Sequence, residues 1–168
     1  MRTLSRIFAG TFALALGFAL LSSRAGQPSI DQLALESGVV AWVSAWNPGD
    51  KPFNVKKLEG LYHPTVITRE AERTLQSWAE YASSLGPHVD QIAEMTTKAA
   101  EEVRLQLAER RAETSFVIHP AAKRRDGSQV NATTRVRLVW TKDGGMWRIA
   151  EQEIVCSKDS ETAPVAAR

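Results

Sequence analysis

Two carboxylates near the end of the chain, Glu151 and Glu153, are the residues best spaced for acid–base chemistry. On a strand, residues two apart share a face, and this face continues back through Ile149 and Trp147. A carboxylate on an apolar face needs water, a cation or hydrogen bonds. Apolar walls raise its pKa toward the range useful to a general base. The competing reading is a strand end that runs into solvent, with both residues wet. His63, directly after Tyr62, is a further acid–base candidate, against which stands a capping or surface role. Five tryptophans supply the apolar counterpart. Trp42, Trp46 and Trp78 fall on helical stripes, and Trp140 and Trp147 fall in the last two strands. Most of these rings belong to a core, since each buries a large area. Trp46 and Trp78, each near a helix end, are the ones to line a hollow between helix and sheet. The expected ligand pocket is therefore Trp42, Trp46, Tyr62, Trp78, Trp140, Trp147, Glu151 and Glu153.

Other chemistries lack their residues. His63, His88 and His119 are the only histidines, and they are scattered without the spacing that organises a zinc site, so no metal is expected. There is no G-x-S-x-G, phosphate-cradling loop or dinucleotide fingerprint, and hence no call for a cofactor. Lys123-Arg124-Arg125 reads as a solvated loop tip. No aromatic residue interleaves it, so nucleic acid is not an expected partner. Asn131-Ala132-Thr133 matches a glycosylation sequon inside a predicted strand. Cys156 is the single cysteine, which rules out an internal disulfide and leaves stability to packing.

The N-terminus reads as an export signal, residues 1–25. Arg2 and Arg6 precede an uncharged apolar run from Ile7 to Leu21, and Ser23 and Ala25 suit a peptidase that cuts after Ala25. That run is short for a bilayer span, which needs roughly 20 residues, although an uncleaved anchor is the alternative. The destination is periplasmic or secreted, with no membrane contact once the signal is removed. Removal takes three of the 21 basic residues and none of the 19 acidic ones. The remainder is close to neutral, with no bulk field toward nucleic acid or anionic lipid. About 140 residues then remain, enough for one core and too few for two.

Positioning falls to three helices and a series of strands. Ser29 caps a helix running to about Trp46, with Leu35, Val39, Trp42, Val43 and Trp46 on one stripe. Asn54 caps a short helix from Val55 to Leu61, and Thr65–Thr68 reads as a strand. Thr74 caps a third helix carrying Leu75, Trp78, Ala82 and Leu85, stopped by Gly86-Pro87. Residues 88–101 fit strand or helix. Alternation then marks strands through Val103–Leu107, Ala112–Ile118, Gln129–Thr141 and Met146–Val155, with short connections that imply antiparallel pairing. Two- and four-residue versions of the Lys142–Gly145 turn put Val136, Leu138, Trp140, Trp147 and Ile149 on one face. Strict alternation carries Glu151 and Glu153 onto that face too. The polar tail, 157–168, reads as disordered.

The order of these elements, with Ala45-Trp46-Asn47, Leu61-Tyr62-His63-Pro64, Trp78 and the run from Val139 to Ala150, resembles the nuclear transport factor 2-like superfamily. The likeness is to its SnoaL-like and ketosteroid-isomerase-like bacterial branches, over about residues 30–155. It implies an α+β fold: three N-terminal helices packed in the concave face of a curved, mainly antiparallel sheet, a cone. It further implies a pocket and frequent homodimers through the outer sheet face. The domain would span residues 26–156. Members include isomerases, cyclases, dehydratases, binding proteins and structural modules, so the fold does not name a function. The isomerase-like members place a tyrosine in the first helix, and none lies between Ser29 and Trp46. The expectation is an exported protein that binds a small apolar or amphipathic ligand without catalysis. The alternatives are an isomerase, cyclase or dehydratase using Glu151 or Glu153, and a dimeric assembly module of the cell envelope.

Overall fold

The computed structural model describes residues 27–48, 53–70 and 73–162. The segment expected to be an export signal, residues 1–25, lies outside the described residues, as do 49–52, 71–72 and 163–168. Helix α1, Ile30–Ala45, starts where expected: the Ser29 side chain accepts from the Gln32 N–H at 3.1 Å. The Gln32 side chain does not reach back to complete a capping box and instead donates to Glu36 at 2.9 Å. Leu35, Val39, Trp42, Val43 and Ala45 form its buried face. Helix α2, Lys56–Glu59, is a single turn. Asn54 accepts from the Lys56 N–H at 3.0 Å.

The next segment differs from its sequence reading. Strand β1 runs from Tyr62 to Glu70, and Thr74 lies in strand β2, Arg73–Leu75, rather than capping a helix. The cap of α3, Trp78–Val89, is Ser77. Its hydroxyl accepts from the Glu80 N–H, while the Glu80 carboxylate accepts from the Gln76 N–H. The helix also passes through Pro87, which sits in its final turn, and the Asp90 N–H still bonds to the Gly86 carbonyl.

The remaining strands are β3 (Ile92–Thr97), β4 (Glu101–Leu107), β5 (Arg111–Ile118), β6 (Pro120–Arg124), β7 (Gln129–Asp143) and β8 (Met146–Thr162). Within residues 88–101, His88 and Val89 finish α3 and Ile92–Thr97 form a strand. Lys123 and Arg124 lie in a strand, not at a loop tip. Residues 157–162, read as tail, extend β8 against the start of β7. The main sheet has the order β2-β1-β8-β7-β5-β4, with β6 pairing β7 further along that long strand and β3 pairing β6. All pairs are antiparallel except β1 with β8, which is parallel.

One face of this sheet carries Ala112, Thr114, Phe116, Ile118, Val136, Leu138, Trp140 and Ile149, all buried in one cluster with the inner stripes of α1 and α3. Burying that face supplies most of the stability that a chain without disulfides has. Gly38, mid-way along α1, lies tight against the sheet: a Cβ there would lie 2.9 Å from Cη2 of Trp140.

Candidate functional site

The decisive local feature is a bulge in β8. Trp140 pairs with Ile149, as the two-residue Gly144-Gly145 turn requires, but Val139 pairs with Glu151. Ala150 is the extra residue. One inserted residue exchanges every later side chain between the two faces. Beyond it, Gln152 and Ile154 stand opposite Leu138 and Val136 on the inner face, and Glu151 and Glu153 turn outward. The inner-face placement of these two glutamates is therefore overturned. Glu151 is bracketed by Arg69 and Arg111, each at 3.1 Å, and the Arg69 hydrogen bond holds its carboxyl below the ordinary range. That is the opposite of what a general base on this scaffold needs. Glu153 faces Arg137 at 4.0 Å.

In their place the inner face presents an uncharged polar cluster. Gln152 is buried, and its side-chain oxygen accepts from the Tyr62 hydroxyl. The same hydroxyl accepts from the Trp42 indole N–H at 2.7 Å. Thr68 is the cross-strand neighbour of Gln152 in the parallel β1–β8 ladder and is fully buried. Tyr81 reaches in from α3, its ring 5.7 Å from that of Tyr62. Burial raises the hydroxyl pKa of both tyrosines, so both remain O–H donors through the physiological range. Oγ1 of Thr68, Oη of Tyr81 and Nε2 of Gln152 are buried without a hydrogen bond of good geometry, although the Tyr81 hydroxyl lies close enough to the Gln152 and Tyr62 side chains for both to lower its pKa against the effect of burial.

The tryptophans divide between this cluster and the frame around it. Trp78 is half-buried and stacks on Tyr62 at 4.9 Å. Trp42 packs edge-on against Phe116 at 5.6 Å and tilts against Trp46 at 5.8 Å. Trp46 lies on Phe53 at 4.9 Å, and its buried indole N–H also lacks a partner. Trp140 donates to Thr114 at 2.9 Å. Trp147 donates to Asp31 at 2.9 Å, and that carboxylate also holds Lys142 at 2.7 Å. This group ties α1 to the β7–β8 hairpin and lies apart from the cluster. His63 bonds locally to Thr65 at 2.8 Å, on the face of β1 opposite Tyr62. His119 meets Glu101 at 3.5 Å and Thr133 at 3.3 Å. Among the described residues no three His, Cys, Asp or Glu side chains are grouped to hold a metal. No helix among them is long and apolar enough to cross a membrane.

Thr68, Tyr81 and Gln152 are the residues that sequence reasoning missed. Tyr81 had a signal, lying three residues after Trp78 and four before Leu85 on the inner stripe of α3. Gln152 had a subtler one. Ile149 and Ile154 are five apart, so both can face the core of one strand only if a residue is inserted between them.

Helices laid on one face of a largely antiparallel sheet, with a polar cluster enclosed between them, define an α+β cone. The chain has the nuclear transport factor 2-like fold. It is similar in structure to a nuclear transport factor 2-like superfamily protein from Salmonella enterica serovar Typhimurium, with a TM-score of 0.65 at 19% identity over 83% of this chain and 100% of that one. A conserved protein from Planctomyces limnophilus superposes with a TM-score of 0.64 at 17% identity, over 76% and 97% of the two chains. A hexachlorocyclohexane dehydrochlorinase, LinA type 2, gives 0.61 at 13%, over 82% and 93%. No protein-family model matches the chain, and no curated protein matches its sequence.

Proposed function

We propose that this is an exported binding protein that holds one small, largely apolar molecule against the inner face of the sheet. Gln152, Tyr81 and Thr68 would donate to an oxygen of that molecule. A single observation carries this reading: three polar atoms clustered at one glutamine are buried without a well-formed hydrogen bond, the Tyr81 hydroxyl and the Gln152 amide being near each other but poorly aligned. Each such orphan costs about 1–3 kcal/mol, and native proteins rarely gather several in one place unless something fills the gap. The amide Nε2 brings two protons, and the two hydroxyls bring one each. None carries charge, so the fitting partner is a neutral acceptor such as a carbonyl or ether oxygen. The surrounding rings of Trp42, Tyr62, Trp78 and Phe116 supply an apolar wall. Trp78 is the half-buried ring of this group, so entry and ligand size depend on how far it moves off Tyr62.

Binding is favoured over isomerase, cyclase or dehydratase chemistry because both carboxylates suggested for the base stand on the other face. The test is tryptophan fluorescence with acetophenone and with ethylbenzene, which has the same ring but no oxygen. Acetophenone should quench at concentrations about tenfold lower, the free-energy difference of one neutral hydrogen bond. Gln152→Leu should erase that difference. Equal response to both compounds, or crystallographic density showing only an ordered water bonded to the three groups, would overturn it.

A further inference from the structure

We propose that the outer face of the sheet carries a second and separate site, for a small molecule with a carboxylate head and a short apolar tail. A hollow of about 370 Å³ lies on that face, and Arg104, Ser115, Val117, Arg135, Arg137 and Val155 are among the residues lining it. Strand register explains the arrangement. Arg104 pairs with Ser115, and Ser115 with Arg137, so a serine stands between two arginines in one cross-sheet row. In the next outward-facing row Val117 pairs with Arg135, and Arg135 with Val155. The first row is polar and cationic. The second sets two valines around one arginine, and Val155 is 57% exposed. Same-face rows are about 7 Å apart along the strands, so a head on one row leaves a tail of several carbons on the other.

Charge selects the head group. Arg137 is occupied, held by Glu113 at 2.6 Å with Glu153 at 4.0 Å. Arg104 and Arg135 have neither an ion pair nor a hydrogen bond among the described residues. Glu102 and Glu153 also line the hollow. With Glu153 facing Arg137, two uncommitted guanidiniums stand against the single carboxylate of Glu102. Arg104 and Arg135 stand on the two strands that flank β5, so a carboxylate above β5 would lie between them and take charge-assisted bonds from both, and apolar flanks strengthen such bonds by excluding water. A bare inorganic anion would leave Val117 and Val155 unused. Glu102 is also the only described non-glycine residue with a left-handed backbone, φ 53°, at the bulge where β4 departs from its ladder with β5.

Calorimetric titration of the purified protein with octanoate, 1-octanol and inorganic phosphate tests the proposal. Octanoate should bind once per chain, with octanol and phosphate much weaker, and added salt should weaken octanoate binding. Arg104→Ala or Arg135→Ala should each weaken it about tenfold, and the double variant should abolish it. Both arginines are exposed, so the fold should survive, as circular dichroism would show. Absence of octanoate binding, octanol binding as tight as octanoate, phosphate matching octanoate, or binding unaltered in the double variant would each overturn the site. Loss of binding in Gln152→Leu alone would move octanoate to the inner cluster and likewise overturn it. Sedimentation showing a dimer that the double variant dissociates, with no octanoate bound, would assign the hollow to contact between copies instead.

Discussion

Tyr62 and Gln152, 90 residues apart in the chain, share a hydrogen bond on the inner face of the sheet, the phenol donating to the amide oxygen. The same phenol accepts from Trp42, so one bond chain ties α1, β1 and β8 together. Tyr62→Phe would strand the Trp42 N–H, and Gln152→Leu would strand the Tyr62 hydroxyl. Each should cost about 1–3 kcal/mol in urea unfolding. Because the two changes remove the same bond, the double variant should lose clearly less than the sum. Additive losses would mean that the two residues act independently.

Neighbours on β8 should respond in opposite ways. Glu151 sits on the outer face with both arginine partners largely in water, so Glu151→Gln should change stability by no more than about 1 kcal/mol. Deleting Ala150 removes the bulge and would swing Glu151 and Glu153 into the apolar layer and Gln152 out of it. That variant should fail to give a cooperative unfolding transition. A well-folded deletion variant would contradict the face assignment.

The bulge also marks where sequence reading reached its limit. Helix α1 was legible because a serine cap and a stripe from Leu35 to Trp42 point the same way. The β7–β8 turn was legible because Gly144 and Gly145 both adopt left-handed φ values, 55° and 83°, which the two-residue turn needs. Ala150 has no such chemistry. Its insertion shows only in the odd spacing of Ile149 and Ile154. Sequence reading makes Thr74 the cap of α3 and overlooks Ser77, although Glu80, three residues after Ser77, completes the box that fixes the helix start there. Strand β6, Pro120–Arg124, shows no alternation, because its register is imposed by β3 and β7 rather than by its own side chains.

Gly38 should be intolerant of alanine. In an exposed helix that exchange stabilises by up to about 1 kcal/mol. Here the new methyl would meet Cη2 of Trp140 at 2.9 Å, and Trp140 is buried and bonded to Thr114. Overpacking of this kind costs about 1–3 kcal/mol, so thermal melting of Gly38→Ala should shift downward. An unchanged or raised melting temperature would show that the indole has room to move.

The proposal of export makes a prediction independent of the fold. Mass spectrometry of the protein from its native host should find Gly26 as the first residue, the Ser23-Arg24-Ala25 segment having directed the cut. An intact N-terminus in the membrane fraction would indicate an anchor.

The chain has only two tyrosines, Tyr62 and Tyr81, and both are buried. Desolvation is the largest cause of the raised pKa of each. A phenol whose folded pKa lies above its unfolded value of 10.0 keeps its proton in the folded chain when the unfolded chain has lost it. The stabilising difference is complete below pH 10 and is lost as the pH rises through the folded pKa. Stability should accordingly fall steadily above about pH 10, where the unfolded state binds fewer protons. Tyrosinate absorbance near 295 nm should not follow a titration centred at 10. It should rise in one step together with the loss of the far-ultraviolet dichroism, since burial holds both phenols protonated above the range in which an exposed tyrosine ionises. Phe substitution at either position should halve the amplitude of that step. A smooth tyrosinate titration near pH 10 with the dichroism intact would mean that at least one phenol faces water, and the enclosed cluster on which the binding proposal rests would not exist.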